Sequence, residues 1–408
     1  MSQKFINKIA VILSWPREID LYSNFLKPKN IEMFEFIVND LRSIEKGRNK
    51  SNQLIQELLK IRKINFQLFS EVYEKVKYKA VISTGEVSAY KISLYSITRF
   101  IYAYSVGYFF HLTKISNLLN NFFGRPFTAG APNSIKIGLD WFPEKKIGNI
   151  SIKFPDGADL KLKNYPNKIY KSVFDIFLSY QDMDLTLVNQ KFENKICKKI
   201  LYFRHETLSK NENKVEIIKE FSLDPQKKII VWMPSHVDIK EEEDKNILDW
   251  SNKIHFLKEF YNLIIRPHPK TLLRNEATIK NLEKNKFIID NNHGRDISKL
   301  IQCSDIVITD YGSIPLECLY LNKNFVFVDM FSESKFVQEL IYADSLEIKI
   351  RRDLISLQQT LSRSEIHARI KESLSYDYQT QVNKKKLEVF GNNKGLSYIE
   401  FINFLKKL

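Results

Sequence analysis

The sequence predicts an α/β chain of two domains, each built on a parallel sheet. The chain has 408 residues, which suits two domains of ordinary size. Short apolar runs alternate with segments of helical periodicity, the pattern of βαβ units. This alternation starts again after "LDPQKK" (223–228). We therefore expect an N-terminal domain over 1–210, a C-terminal domain over 211–390 and a final helix over 391–408.

The first domain is predicted from apolar runs around one amphipathic segment. In "SNQLIQELLKIRK" the leucines and isoleucines recur at spacings of three and four, as a helix requires. The candidate strands are "KIAVILSW" (8–15), "IEMFEFIVN" (31–39), "INFQLF" (64–69) and "YKAVIST" (78–84), with further alternation in "YKSVFDIFLSY" (170–180) and "KICKKILYF" (195–203).

The second domain is predicted from apolar runs that end in polar residues. The candidate strands are "IIVWMPS" (229–235), "YNLIIRPHPK" (261–270), "KFIID" (286–290) and the run that opens "IVITDYGS" (306–313). A short helix is expected at "DISKLIQCS", and the tail "GNNKGLSYIEFINFLKKL" predicts a helix after a Gly/Asn turn.

Charge limits the classes of partner. The chain has 63 Lys and Arg against 48 Asp and Glu, a formal charge of +15, which favours anionic partners such as nucleic acid, anionic lipid or a phosphate-rich substrate. The basic residues are spread along the chain rather than gathered in a stripe, so we expect no nucleic-acid partner. Cys197, Cys303 and Cys318 share no CxxC spacing and are interpreted as reduced thiols of a cytosolic protein.

Two segments bear on membranes. The N-terminus "MSQKFINKIAVILSW" is interpreted as a first buried strand rather than a signal peptide, because its apolar run is short and lacks a small-residue cleavage site. No stretch of about 20 apolar residues exists, so no spanning helix is expected. The aromatic run at 100–113, flanked by Arg99 and Lys114, is either a buried helix pair or an interfacial element on anionic lipid.

Polar residues follow the apolar run at 306–309, where a strand gives way to a helix. Open parallel sheets bind ligands outside the carboxyl ends of their strands, and a helix that begins there presents free N–H groups to phosphate. Gly312 lets the backbone approach a ligand, while Ser313 caps the helix or donates to an oxygen. Glu317, about one turn on, could accept from ribose hydroxyls.

The run at 261–265 ends in "RPHPK", which strengthens the prediction of a phosphate site. Arg266 is a permanent, fork-shaped cation, and His268 can donate a hydrogen bond or a proton near neutral pH. Ser235 and His236 stand at the end of another predicted strand. The second domain is therefore expected to gather phosphate-binding groups at one sheet edge.

"RPHP", followed some forty residues later by "SDIVITDYGSIPLECLYLNKNFVFVD", resembles the CDP-glycerol glycerophosphotransferase family of teichoic-acid primases, polymerases and capsule-synthesis relatives. Gly312 replaces the first serine of the family's Ser-Ser pair, and Lys323-Asn324 replaces its Lys-Pro. "IIVWMPS" is similar to the family's Tyr-Ala-Pro-Thr strand. The resemblance covers about 223–408. The matching residues are Ser304, Asp305, Thr309, Asp310, Tyr311 and Ser313, with Glu317 in place of the family's acid.

The resemblance implies a GT-B-like fold, with two Rossmann-like domains facing an interdomain cleft. It implies transfer of a glycerol- or ribitol-phosphate from a CDP-linked donor to a hydroxyl of a cell-surface glycopolymer or its polyprenyl-linked precursor, with release of CMP. It implies no required cofactor or bound metal, and a cytoplasmic protein peripheral to the inner face of the bacterial membrane. The residues expected to bind the nucleotide are Arg266, Ser235, Thr309, Asp310, Tyr311, Gly312, Ser313 and Glu317, and those expected in catalysis are His268, Asp156 and His236.

The N-terminal half departs from the family at one important position. The family has a Trp-His-Gly-Thr-like motif whose His is the expected base, whereas "FPDGADLK" (154–161) has Asp156 at that place. An aspartate serves as a base if its surroundings raise its pKa. Asp156 and Asp159 could instead be turn acids. His205 in "YFRHET" is a further candidate base.

Other interpretations stay open at the level of sequence. A GT-B glycosyltransferase that uses a CMP- or UDP-sugar in capsule or lipopolysaccharide synthesis fits a basic diphosphate site nearly as well, and a sugar-nucleotide epimerase of similar build is a third possibility. The D-x-D of Asp182 and Asp184 is interpreted as a chance match rather than a metal site. "KEEEDK" (240–245) is expected to be a solvated loop.

Overall fold

The computed structural model describes residues 3–22, 24–25, 32–40, 48–73, 75–84, 143–155, 173–192, 194–206, 210–236, 240–292, 295–329, 346–391 and 395–408. These residues form two compact units. The first unit contains the described residues up to 201 together with 395–408, and the second contains those of 202–391. The division falls a little before the predicted limit at 210, and the C-terminal segment is grouped with the first unit.

The first unit is built on a seven-stranded parallel sheet. Its order is β3-β2-β1-β4-β5-β6-β7. The central strands are almost wholly apolar where they pair, as expected of parallel strands covered on both faces. The strands are β1 (Lys4–Leu13), β2 (Phe34–Val38), β3 (Phe66–Leu68), β4 (Val76–Ser83), β5 (Gly148–Lys153), β6 (Ile176–Ser179) and β7 (Ile196–Lys199).

The second unit is built on a six-stranded parallel sheet of order β10-β9-β8-β11-β12-β13. Both sheets therefore place their first and fourth strands side by side, the Rossmann arrangement in which strand order reverses and ligands bind at the carboxyl ends. The strands are β8 (Ile229–Met233), β9 (Asn262–Ile265), β10 (Ile288–Ile289), β11 (Ile306–Thr309), β12 (Phe325–Val328) and β13 (Ser356–Leu357).

Helices connect these strands in both units. The described helices are α1 (Arg17–Leu21), α2 (Arg48–Ile61), α3 (Phe69–Val72), α4 (Pro143–Ile147), α5 (Asp182–Lys191), α6 (Lys210–Glu220), α7 (Lys240–Ile254), α8 (Pro269–Arg274), α9 (Glu276–Lys284), α10 (Ile297–Cys303), α11 (Ile314–Tyr320), α12 (Leu346–Asp353), α13 (Arg363–Glu372), α14 (Tyr376–Phe390) and α15 (Tyr398–Lys407).

The last helix, α15, packs on the core of the first unit. Ser397 and Glu400 form a capping box that fixes its start. The ring of Phe401 lies 6.0 Å from that of Phe25 and 6.4 Å from that of Phe154, centroid to centroid. Burial of these aromatic rings stabilises the packing of α15 on the first unit.

The structure confirms the predicted α/β class with two Rossmann-like parallel sheets. One local prediction is wrong: "KEEEDK" (240–245) is the start of α7 rather than a solvated loop. Acidic residues favour the first turn of a helix because they interact with its dipole, and the run of glutamates therefore stabilises this helix start. The aromatic run at 100–113 lies outside the described residues. Across the ranges that the structure describes, no helix has the length and apolar character needed to cross a membrane.

Candidate functional site

The candidate site lies where β8, β9 and β11 end, at the reversal of strand order in the second sheet. The backbone N–H of Ser235 donates to both carboxylate oxygens of Asp310, each at 3.0 Å. Its hydroxyl donates to the carbonyl of Tyr311. These bonds fasten the segment after β8 to the segment after β11, so that the two strand ends form one surface.

The turn after β11 requires the glycine that the sequence places there. Gly312 has a φ of +120°, a conformation that side chains rarely adopt. A Cβ on this residue would also lie 3.3 Å from the hydroxyl oxygen of Ser235. Ser313 is the N-cap of α11 but makes no side-chain capping bond, so its hydroxyl is not used to cap the helix.

Asp310 is fully buried beneath this turn. Burial raises the pKa of its carboxyl to about 6, against the hydrogen bonds from Ser235 and the attraction of Arg351. The guanidinium carbon of Arg351 lies 4.0 Å from the ring centroid of Tyr311 and 4.4 Å from that of Phe327. Arg351 was missed by sequence reasoning, because "IRRDL" carries no feature that separates it from other basic segments.

Two histidines stack at the same edge. His268 is the N-cap of α8, and its Nδ1 accepts a hydrogen bond of 3.1 Å from the backbone N–H of Lys270. His236 contacts the carboxylate of Glu243 through Nδ1 at 2.9 Å. The two imidazole centroids lie 5.6 Å apart with an interplanar angle of 20°. The structure thus brings Ser235 to the turn at 310–313 and His236 to His268, while a ligand-binding role for these residues stays a prediction.

Arg266 follows β9 but points into the protein. It is 4% exposed, and its Nη1 donates to the carbonyls of Asp290 and Asn292 at 3.0 and 2.9 Å. The carboxylate of Asp290 lies 3.3 Å from the same nitrogen. This geometry assigns Arg266 to holding the segment after β10, and its contact with phosphate stays a prediction.

Glu317 and Thr309 are also buried. Glu317 is 2% exposed and forms an ion pair with Arg204, while burial raises the pKa of its carboxyl. Thr309 is fully buried at the end of β11. Contact of either residue with a nucleotide stays a prediction. His205 is buried too, with Nε2 3.8 Å from Glu317, and burial lowers its pKa well below the usual value.

The remaining candidates do not belong to the elements that form this edge. Asp156 falls outside the described residues. Asp182 pairs with Lys199 at 2.8 Å, and Asp184 accepts from the hydroxyl of Ser179 at 2.8 Å, so the two carboxylates of the D-x-D have separate partners. In the described ranges no group of three or more His, Cys, Asp or Glu side chains is placed to hold a metal ion.

The edge of the second sheet combines features that suit an anionic ligand. It contains two stacked imidazoles, a glycine turn that permits close approach of a ligand to the backbone, and a guanidinium stacked on Tyr311. Two Rossmann-like parallel sheets define the class of the chain as a doubly wound α/β protein.

Comparison with known proteins finds one family that is similar to part of the chain. Residues 172–333 match the family described as CDP-glycerol:poly(glycerophosphate) glycerophosphotransferase. The match contains β6 to β12 and every residue of the candidate edge except Arg351. This is the family that the "RPHP" and "SDIVITDYGS" motifs resemble.

Two curated proteins are similar to the chain. The teichoic acid glycerol-phosphate primase of Bacillus subtilis (strain 168) is 29% identical over 210 residues, 48% of this chain and 48% of the primase. The teichoic acid poly(ribitol-phosphate) polymerase of Bacillus spizizenii is 28% identical over 117 residues, 28% of this chain and 18% of the polymerase. The chain thus matches about half or less of the length of these relatives.

Solved structures of the wall teichoic acid polymerase TagF share the fold. One, determined after a soak with CDPG, has a TM-score of 0.54 and 16% identity, and the match covers 98% of this chain and 89% of the other. Another TagF structure has a TM-score of 0.53, also at 16% identity, and covers 98% of this chain and 87% of the other. At this identity the likeness supports the fold alone.

Proposed function

We propose that the protein transfers a polyol phosphate, of the glycerol- or ribitol-phosphate type, from a CDP-linked donor to a hydroxyl group. The acceptor is a cell-surface glycopolymer, such as teichoic acid or capsule, or its polyprenyl-linked precursor. The observation that carries the proposal is the meeting of Ser235, His236, His268 and the turn at 310–313 at one sheet edge, within the part that matches the family. The names of the curated relatives support a donor of this class.

The proposed reaction forms one bond to phosphorus and breaks one. The acceptor oxygen forms a bond to the β-phosphorus of the donor, and the bond from that phosphorus to the oxygen bridging the two phosphates breaks. CMP leaves with the bridging oxygen, and the hydroxyl proton passes to a base. Catalysis of such transfers depends on positioning and on offsetting charge on the phosphates. No resident cofactor is invoked.

The residues of the edge have distinct tasks in this proposal. His268 and the backbone N–H groups of Gly312 and Ser313 donate to the diphosphate, and Arg351 supplies positive charge beside Tyr311. Asp310 holds the loop after β8 in place through Ser235. Two candidates for the base stay open: Asp156, by its place in the family motif, and His236, by its place at the edge.

Turnover with defined donors tests the proposal. Purified protein with a polyprenyl-linked acceptor should release CMP from CDP-glycerol or CDP-ribitol but not use UDP-sugars or CMP-sugars. His268→Ala should lower the rate by about 10²–10⁴, the usual value of a positioned proton or hydrogen-bond donor. His255→Ala is the matched control, because His255 is exposed and lies away from the edge in the same unit. Turnover of a UDP-sugar alone, or a fully active His268→Ala, contradicts the proposal.

We also propose that the protein works at the inner face of the bacterial membrane as a peripheral protein. The charge of +15 and the aromatic run at 100–113 support binding to anionic lipid. Sedimentation with vesicles tests this: binding to vesicles with anionic lipid and loss of binding on Phe109→Asp with Phe110→Asp are expected. Equal binding by the variant contradicts the interfacial role of the run.

A further inference from the structure

A buried glutamate links His236 by hydrogen bonds to the helix that His268 caps. Glu243, on α7, is 2% exposed. One of its carboxylate oxygens contacts Nδ1 of His236 at 2.9 Å, and the other accepts from the hydroxyl of Thr271. Thr271 belongs to α8, the helix that His268 caps. The network therefore ties the segment after β8 to the segment after β9.

The hydrogen-bond partners fix where each imidazole carries its proton. A carboxylate only accepts, so His236 donates from Nδ1 to Glu243, and in the neutral ring Nε2 then has the lone pair. A backbone N–H only donates, so Nδ1 of His268 is bare and Nε2 has the proton. Two parallel rings 5.6 Å apart thus hold opposite tautomers.

We propose that Glu243 is a positioning residue that holds His236 in a tautomer complementary to that of His268. It holds His236 as a proton acceptor at Nε2, while the cap on α8 holds His268 as a hydrogen-bond donor at Nε2. The catalytic meaning rests on the proposed function: His236 takes the proton of the acceptor hydroxyl as the oxygen–phosphorus bond forms, and His268 donates to the phosphate that leaves with CMP. Glu243 stabilises the imidazolium that His236 becomes.

The structure favours this role over that of a simple helix acid. Glu241 and Glu242 share the first turn of α7 and suffice to interact with the helix dipole. Only Glu243 of the three is fully buried, and both of its oxygens have a partner from a different element. Burying a carboxylate costs free energy unless both oxygens are hydrogen-bonded. The partners of Glu243 therefore fix where its oxygens lie.

Glu243→Gln tests the inference in a way that a structural role does not mimic. Thr271 continues to donate to the amide oxygen, so the amide N–H₂ group faces Nδ1 of His236 and now donates to it. His236 should therefore change tautomer, with its proton on Nε2, while His268 stays as it is. ¹⁵N spectra of histidine-labelled protein measure the two patterns, with His236→Asn and His268→Asn variants to assign them. Glu242→Gln is the matched control and should leave both tautomers unchanged.

Kinetics provide the second readout. Because His236 loses its accepting atom, Glu243→Gln should lower kcat by about 10–100-fold, the usual effect of losing an orienting partner, with little change in the KM for the CDP-linked donor. The inference is overturned if His236 and His268 share one tautomer in the wild type, or if kcat is unaffected by the change. Absence of any turnover with CDP-linked donors instead contradicts the proposed function, and the spectra still decide the arrangement of the histidines.

Discussion

The two sheets share one strand order but carry different chemistry at their equivalent edges. In the first sheet, Glu18 accepts from the hydroxyl of Thr84 at 2.7 Å and from the backbone N–H of Trp15 at 2.9 Å, and Glu144 accepts from the hydroxyl of Ser83. Both carboxylates are buried. In the second sheet the same place has two stacked imidazoles and a glycine turn.

This difference teaches that topology decides where a site can form and side chains decide whether one does. A parallel sheet with reversed order brings the ends of its first and fourth strands together in either unit. At the first edge both carboxylates are buried and accept hydrogen bonds from neighbouring residues of the same unit. At the second edge the bonds of Asp310 and Ser235 stay within the protein, and two histidines stack beside them.

The largest difference between the units should be the change in stability when a buried glutamate is replaced by glutamine. Glu317→Gln in the second unit leaves the buried Arg204 without its ion-pair partner, and we expect about 3–5 kcal/mol of lost stability by urea titration. Glu372→Gln is the control, since its pair with Arg369 is about half exposed and should contribute less than about 1 kcal/mol. An equal effect of the two changes would contradict the assigned role of the buried pair.

In the first unit, replacing a buried glutamate by glutamine should stabilise the protein rather than destabilise it. Burial raises the pKa of Glu144 from 4.5 to about 7, so the folded state holds a proton that the unfolded state releases. The stability from this group is fully present below about pH 4.5, is lost as pH rises to about 7, and stays lost above it. Glu144→Gln should therefore stabilise the protein by about 2–3 kcal/mol at pH 8 and by little at pH 4.5. Thermal melts at the two pH values measure this. If the effect of Glu144→Gln on stability did not depend on pH, burial would not raise the pKa of Glu144.

The smallest expected effects compare two glycines. Gly312→Ala should cost about 1–3 kcal/mol because of its positive φ, and should lower the affinity for CDP-glycerol by at least about 10-fold, since the turn approaches the ligand. Gly148→Ala in the first sheet should cost a similar amount for a different reason, as its Cβ would lie 2.5 Å from Val81 Cγ2. Only the first change should weaken donor binding in calorimetry. Equal weakening by both would place the donor elsewhere.

Much of the fold follows from the sequence because its strands are strongly patterned. The runs at 229–235 and 306–313 contain β8 and β11, and their trailing residues meet as the parallel topology requires. The ends are less well predicted: the run at 261–270 yields only Asn262–Ile265, since Pro267 and Pro269 cannot donate to a ladder.

The site is less predictable because partners distant in sequence decide what a side chain does. The sequence predicts that Arg266 binds phosphate. In the structure its guanidinium instead donates to the carbonyls of Asp290 and Asn292. In the sequence, Glu243 is one of three consecutive acids predicted to be solvated. In the structure its carboxylate contacts His236 and Thr271, which come from other segments. The sequence predicts that Glu317 accepts from ribose hydroxyls. In the structure it forms an ion pair with Arg204, a partner that no local sequence pattern indicates.

A crystal structure with CDP-glycerol bound tests the central claim most directly. The account predicts the diphosphate within hydrogen-bond distance of Nε2 of His268 and of the backbone N–H groups at 312–313. A diphosphate seated at the end of β1 and β4 in the first unit, beside Glu18 and Glu144, would contradict it.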